Sequence, residues 1–233
     1  MKSNTHQNII IKAFYILKND KYDVWSFYNE FHAHIDSVSV IKQNTVLPDK
    51  DENPWWGITH CYNAETDSGG ALFIPFIVKK NGTDNAKTRF INHYNNAVKE
   101  YKNQNFKKAF EFLGRALHYL TDAGNPHHSF NKLGGISGSI FGSQHEIFEK
   151  YVIENLDRYN ALTSDFYSDI LNFPLENAIK AVSKNGCIVY NEMNRKNDNT
   201  ISKFEAAAQN TLPYIQQMTA AVLYRFYYDV TNR

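Results

Sequence analysis

The residues best suited to chemistry are histidines and carboxylates, and their spacing says more than their number. His118 and Asp122 stand four apart, as do His145 and Glu149, and His128 falls between the two pairs. On a helix, residues i and i+4 share one face, so each pair would present an imidazole and a carboxylate together. These are the ligand types that zinc accepts where no thiolate is used. Two helices each turning such a pair toward a common interior is an established way to build a metal site in a bundle. A single His-x-x-x-Asp is more often a surface pair or a core histidine with a partner. Both pairs together, with His128 at their junction, point to metal. Asp49 and His60 flank a long irregular stretch and are further ligand candidates, and His6 is one more near the start.

The elements that would carry these residues are helical. Ile9, Ile10, Phe14 and Ile16–Leu17 predict a helix from about residue 4 to 18, capped by Ser3, Asn4 or Thr5. A second is expected over Val24–Ile35. Pro48, Pro54, Gly57, Gly69 and Gly70 mark 48–70 as a long loop, and long loops in compact domains are usually functional. Helices follow over about 86–103 and 106–122, the latter with a core stripe of Phe106, Phe110, Leu113, Leu117 and Leu120. Gly124-Asn125-Pro126 ends it. After a Gly- and Ser-rich loop over 129–143, helices are expected over 144–156, 175–192 and 202–228, the last open to a kink at Pro213. No strand-like alternation persists. The fold class is all-α, a single compact multi-helix domain over residues 1–233.

Composition narrows the function. The chain is 42% hydrophobic and 15% aromatic, ample for a core. Its 25 basic and 24 acidic residues form no like-charge block, which argues against a nucleic-acid partner or a polybasic membrane anchor. Two cysteines, Cys61 and Cys187, cannot make a disulfide framework and are read as free, buried thiols. The stretch MKSNTHQNII lacks the apolar core of a signal peptide. The longest apolar run, Ala71–Val78, is too short to cross a bilayer.

From Phe110 to Asn131 the chain reads FEFLGRALHYLTDAGNPHHSFN, which resembles the signature segment of the bacterial zinc-dependent phospholipases C. THQNIIIKAFYILKND, LPDKDENPWW, GALFIPF and TAAVLYRFYYDV are similar, in the same order, to that family's first helix, Pro-Asp loop, Ile-Pro-Phe stretch and closing helix. The resemblance implies a helical fold shared with P1-type nucleases, up to three Zn2+ ions, and hydrolysis of phosphatidylcholine-like lipids to diacylglycerol and a phosphorylated headgroup. It implies that His128, His145 and Glu149 hold one zinc. Asp49, His60, His118 and a bridging Asp122 hold a second, with Asp49 also the catalytic residue that orients or deprotonates water. His6, Asp122 and the amine and carbonyl of the first residue, here Met1, hold the third. Family members begin with a tryptophan whose free amine is a ligand, so either this third site is altered or the native start lies elsewhere. Trp55 and Trp56 are the nearest candidates for choline binding, by the attraction of cations to aromatic faces. His127 matches a non-ligand position, and His32, His34 and His93 are expected to be surface or cap histidines.

Further implications are a monomer, secreted, that touches phospholipid surfaces transiently, with no C-terminal lipid-binding β-domain. Two rivals remain. One is a P1/S1-like nuclease or 3′-nucleotidase, which typically has aspartate where this chain has Glu149. The other is a non-catalytic, metal-stabilised interaction protein.

Overall fold

A computed structural model describes residues 1–30, 34–52, 58–69, 84–131, 144–195 and 200–231. Those residues form helices α1 (Ser3–Asp20), α2 (Tyr22–Asn29), α3 (Ser37–Asn44), α4 (Pro48–Asp51), α5 (Ala86–Lys102), α6 (Phe106–Ala123), α7 (Pro126–Ser129), α8 (Gln144–Glu154), α9 (Tyr167–Asn172), α10 (Glu176–Arg195) and α11 (Thr200–Thr231). Among the described residues there is no strand, only an isolated antiparallel bridge between Asn63 and Ser68. The protein is all-α.

Helix α6 is the axis of the molecule, with α3, α5 and α10 packed around it. The stripe read from its sequence is the core face: Phe110, Leu113, Leu117 and Leu120 are fully buried. Burying each such side chain contributes about 1.5–3 kcal/mol. Its last two turns go further, for every residue from Ala116 to Ala123 is buried. A helix enclosed on all sides normally carries apolar residues only, so His118, Thr121 and Asp122 there need a reason to be polar. A second apolar cluster, built on Ile9, Phe148, Val152, Phe204, Leu212 and Ile215, joins the start of α1 to α8 and α11.

The ends of these elements follow local chemistry. Asn85 and Thr88 cap α5 reciprocally, each side chain bonded to the other's backbone N–H. Asn125 caps α7 by accepting from His127 N–H at 3.0 Å, with Pro126 at the first helical position. The tight α6–α7 corner therefore brings Asp122 and His128 side by side.

Several expected boundaries need correction. The second helix stops at Asn29, short of Ile35, because Glu30 is extended and Asp36 starts α3 by capping Ser39 N–H. The expected loop over 48–70 contains α4, a 3-10 turn at Ile58–His60 and the Asn63–Ser68 bridge. Helices α3 and α9 are additional, and α11 continues through Pro213. Cys61 and Cys187 are free and buried. The Ala71–Val78 run, the stretch from 132 to 143, His32, Trp55 and Trp56 lie outside the described residues.

Candidate metal centre

Polar side chains converge where α1 begins and α6 ends. Asp122, on the last turn of α6, is wholly buried and lies at the centre. Its Oδ2 is 2.6 Å from His60 Nδ1 and 3.1 Å from His118 Nε2. Its Oδ1 faces the Met1 amino group, His6 Nε2 at 3.5 Å and His128 Nδ1 at 3.6 Å. Asp49, on α4, points one oxygen at His60 Nδ1 and His118 Nε2 from 3.6 and 3.7 Å. On the other side, His128 Nε2 is 2.9 Å from His145 Nε2, which is 2.9 Å from Glu149 Oε1. Two ligand groups result, Asp49/His60/His118/Asp122 and His128/His145/Glu149.

The hydrogen bonds decide which ring nitrogens face the interior. His118 Nδ1–H donates to the Thr45 carbonyl at 2.7 Å. The Thr121 hydroxyl donates to the His118 carbonyl and so accepts from His6 Nδ1–H at 2.6 Å. His128 Nδ1–H donates to the His60 carbonyl at 3.3 Å. In each neutral ring the proton is thus turned outward and the bare Nε2 lone pair inward, that of His128 lying 3.5 Å from the Met1 ammonium. His6 Nε2 meets the Met1 carbonyl at 3.2 Å, and His128 Nε2 meets Glu149 at 3.6 Å. Metal-ligating histidines are oriented in this way by outward bonds. Acceptors gathered around one ammonium in a buried space fit a bound cation, and this all-N/O donor set fits a divalent ion. The buried His60 Nε2 has no partner among the described residues.

Electrostatics agree with that fit. Burial alone would push the Asp122 carboxyl up, but the Met1 ammonium beside it holds it well below the usual carboxylate range. Glu149 is depressed against burial by the same ammonium and by His145, whose Nε2 lies 2.9 Å away. Burial disfavours the Met1 charge, yet Asp122, Glu149 and Asp49 raise its amine to about 11. The cluster is thus built to hold positive charge. The C-terminal end of α6 adds its negative dipole end. His6 and His128 are kept neutral, first by burial, His128 down to about 4. Asp49 is different. Burial and the Asp122 charge raise its carboxyl, and its side chain is 35% exposed where Asp122 is fully enclosed.

All of the described site candidates therefore lie together, Met1 included. His127 is buried behind the cluster, its ring against His145, Phe148 and Tyr190 and its Nδ1 without a partner among the described residues. Burial lowers it to about 3. His34 is exposed. His93 is neither a surface nor a cap residue: its Nε2 bonds Glu52 at 2.8 Å and its ring stacks on Tyr119. Sequence reasoning missed Thr45, Thr121 and Asn125, which orient His118, His6 and Glu149. Of these only Asn125 had a local signal, as a cap ahead of proline.

No protein-family model matches the chain. Curated phospholipases C are similar to it: that of Clostridium perfringens strain 13 is 25% identical over 99% of this chain and 60% of its own length. That of Clostridium novyi is 24% identical with the same shares. That of Bacillus cereus is 27% identical over 65% of this chain and 51% of its own length. The chain thus spans about 60% of the clostridial relatives. Among solved structures, alpha toxin from Clostridium absonum superposes with a TM-score of 0.83, covering 98% of this chain and 64% of the toxin at 24% identity. Clostridium perfringens alpha-toxin from an avian strain gives 0.79, covering 98% and 64% at 23% identity. The fold is that of the alpha-toxins, and the resemblance to phospholipases C runs through the whole chain.

Proposed function

We propose that the chain is a zinc-dependent phospholipase C, hydrolysing the phosphodiester of phosphatidylcholine-like lipids to diacylglycerol and a phosphorylated headgroup. The observation that carries this reading is the pair of ligand groups meeting at the buried Asp122, with bare imidazole nitrogens turned inward. Similarity to phospholipases C supports the substrate class. Zinc held here would supply Lewis acidity for the phosphoryl oxygens and would acidify water.

The chain's own residues do the rest. His128, His145 and Glu149 would hold one ion, and His60, His118, Asp49 and Asp122 a second. His6, Asp122 and the Met1 amine and carbonyl would hold a third. Asp49 is the partly open carboxylate of the three, and its raised proton affinity suits a group that accepts a proton from attacking water. Because Asp122 is buried and bonded on both oxygens, it serves structure and charge balance. Trp55 and Trp56 remain proposals for headgroup contact. Among the described residues no helix is long and apolar enough to cross a membrane. Transient contact with lipid surfaces by a secreted monomer, without nucleic acid, completes the reading.

The test compares substrates. Purified protein should release phosphocholine from short-chain phosphatidylcholine and leave single-stranded DNA and RNA intact. Nuclease activity exceeding headgroup release would make the P1-like alternative correct. One zinc per chain with neither activity would favour a metal-stabilised interaction protein.

A further inference from the structure

Helix α4, which carries Asp49, is a single turn of four residues without a side-chain cap. One isolated turn has no stability of its own. Yet Asp49 must keep its carboxylate within reach of His60 and His118, and a base misplaced by about 1 Å loses on the order of 10²-fold in rate. Something outside α4 has to fix it.

The fixing contacts are on the residues that follow. Arg115, on α6, grips Asp51 with two parallel bonds, Nη1 to Oδ1 at 2.9 Å and Nη2 to Oδ2 at 2.6 Å. The same Nη1 donates to Glu52. Glu52 Oε2 accepts from His93 Nε2 at 2.8 Å, the Tyr119 hydroxyl at 3.0 Å and Arg89 Nη1 at 3.3 Å. Arg89 is itself anchored to Asp84 at 2.5 and 2.7 Å. Glu52 therefore ties the end of α4 to both α5 and α6. Tyr119 passes the constraint inward: its ring stacks on His93 and lies 5.3 Å from the ring of His60, next to His118 in the chain. A planar two-pronged bond sets rotation as well as distance, so it fixes which way the α4 turn faces. Burial would raise the Glu52 carboxyl, but His93, Arg115 and Tyr119 hold it at about 2, so it stays charged at neutral pH.

We propose that Glu52 and Arg115 are positioning residues that hold Asp49 in register with His60 and His118, making α5 and α6 rather than α4 the elements that set its geometry. The kinetic part rests on the reading of Asp49 as the base of a phosphodiesterase. The geometric part does not.

The experiment pairs kinetics with a crystal structure of the zinc-loaded Arg115→Ala chain. In that structure Asp49 moves by about 1 Å or more from its place beside His60 and His118. Headgroup release loses about 10²-fold in kcat with KM within about threefold. Arg115→Lys, which keeps the charge but not the fork, recovers part of the loss. In an Asp49→Asn background Arg115→Ala costs nothing more, because both act through one group. Losses that multiply, an unmoved Asp49, or a displaced Asp49 with unchanged kcat would each overturn the proposal. Should the wild type prove inactive on phosphodiesters, the functional reading falls, and the position of Asp49 in the variant alone decides the clamp. Should Arg115→Ala fail to fold, Glu52→Gln carries the same comparison.

Discussion

Replacing Gly114 with alanine should weaken the metal centre from outside it. Gly114 lies where α3 crosses α6, and an added Cβ would sit 2.5 Å from the Ile41 carbonyl and 2.8 Å from Asn44 Cβ. Real Cβ contacts stay beyond 3.0 Å, so α3 must retreat by roughly 0.5 Å. Thr45 follows α3 directly, and its carbonyl accepts from His118 Nδ1–H at 2.7 Å. The same retreat stretches that bond toward 3.2 Å, the edge of useful geometry. Overpacking costs about 1–3 kcal/mol and a weakened buried bond about 1 kcal/mol more. For a chain of this size each kcal/mol lowers Tm by about 2–4 °C, so a fall of roughly 5–15 °C is expected for the metal-free protein. Loss of the outward bond that orients His118 should also weaken zinc by ~10–100-fold. Thermal melts after chelation, with competitive zinc titration, measure both. A Tm within about 1 °C of wild type and unchanged zinc affinity would refute the coupling between the α3–α6 crossing and the site.

Asp122→Asn should lose zinc and activity together, because it removes the charge that the second and third ions would share. If Asp49 serves mainly as base rather than ligand, Asp49→Asn should keep most of its zinc while kcat falls by about 10²–10⁴-fold, with zinc content and headgroup release measured side by side. His127→Ala should lower Tm by roughly 5–10 °C through a buried cavity and leave activity within a few-fold; a dead His127 variant beside an active His128→Ala would show the ligand register to be wrong. The Glu52 carboxyl lies at about 2 against an ordinary 4.5, so its stabilisation is complete above about pH 4.5 and is lost as pH falls from there toward 2. Acid unfolding of Glu52→Gln should be correspondingly less steep over that range, and an identical curve would contradict the depressed value.

How much of this was readable in the sequence follows from the range of each interaction. The core stripe of α6 repeats every three to four residues, so period alone located it and set His118 and Asp122 on one face. His145 and Glu149 were legible for the same reason. Single turns carry no period. Helix α7 escapes a periodicity reading although Asn125-Pro126 is a cap-and-proline start, and α4 falls in a stretch that reads as loop despite Pro48. The outward bonds from His6 and His118 end on Thr121 and on the Thr45 carbonyl. A backbone carbonyl has no residue signature, and a threonine inside a helix has many uses. The Glu52 hub was hidden most completely. Its partners come from residues 89, 93, 115 and 119, and only folding α4 onto α5 and α6 brings them together. His93 matches no ligand position of the resembled family, so the sequence alone leaves it a surface or cap histidine.

The proposed function requires one buried cluster both to bind zinc and to hydrolyse phospholipid, and a single titration addresses both halves. Chelator-stripped protein is titrated with zinc while phosphocholine release from a short-chain phosphatidylcholine is followed. No release is expected without zinc, and the rate should climb to a plateau at about two to three equivalents per chain as the ligand groups around Asp122 fill. Equal rates with and without zinc, or zinc uptake to that stoichiometry with no headgroup released, would contradict the proposed function.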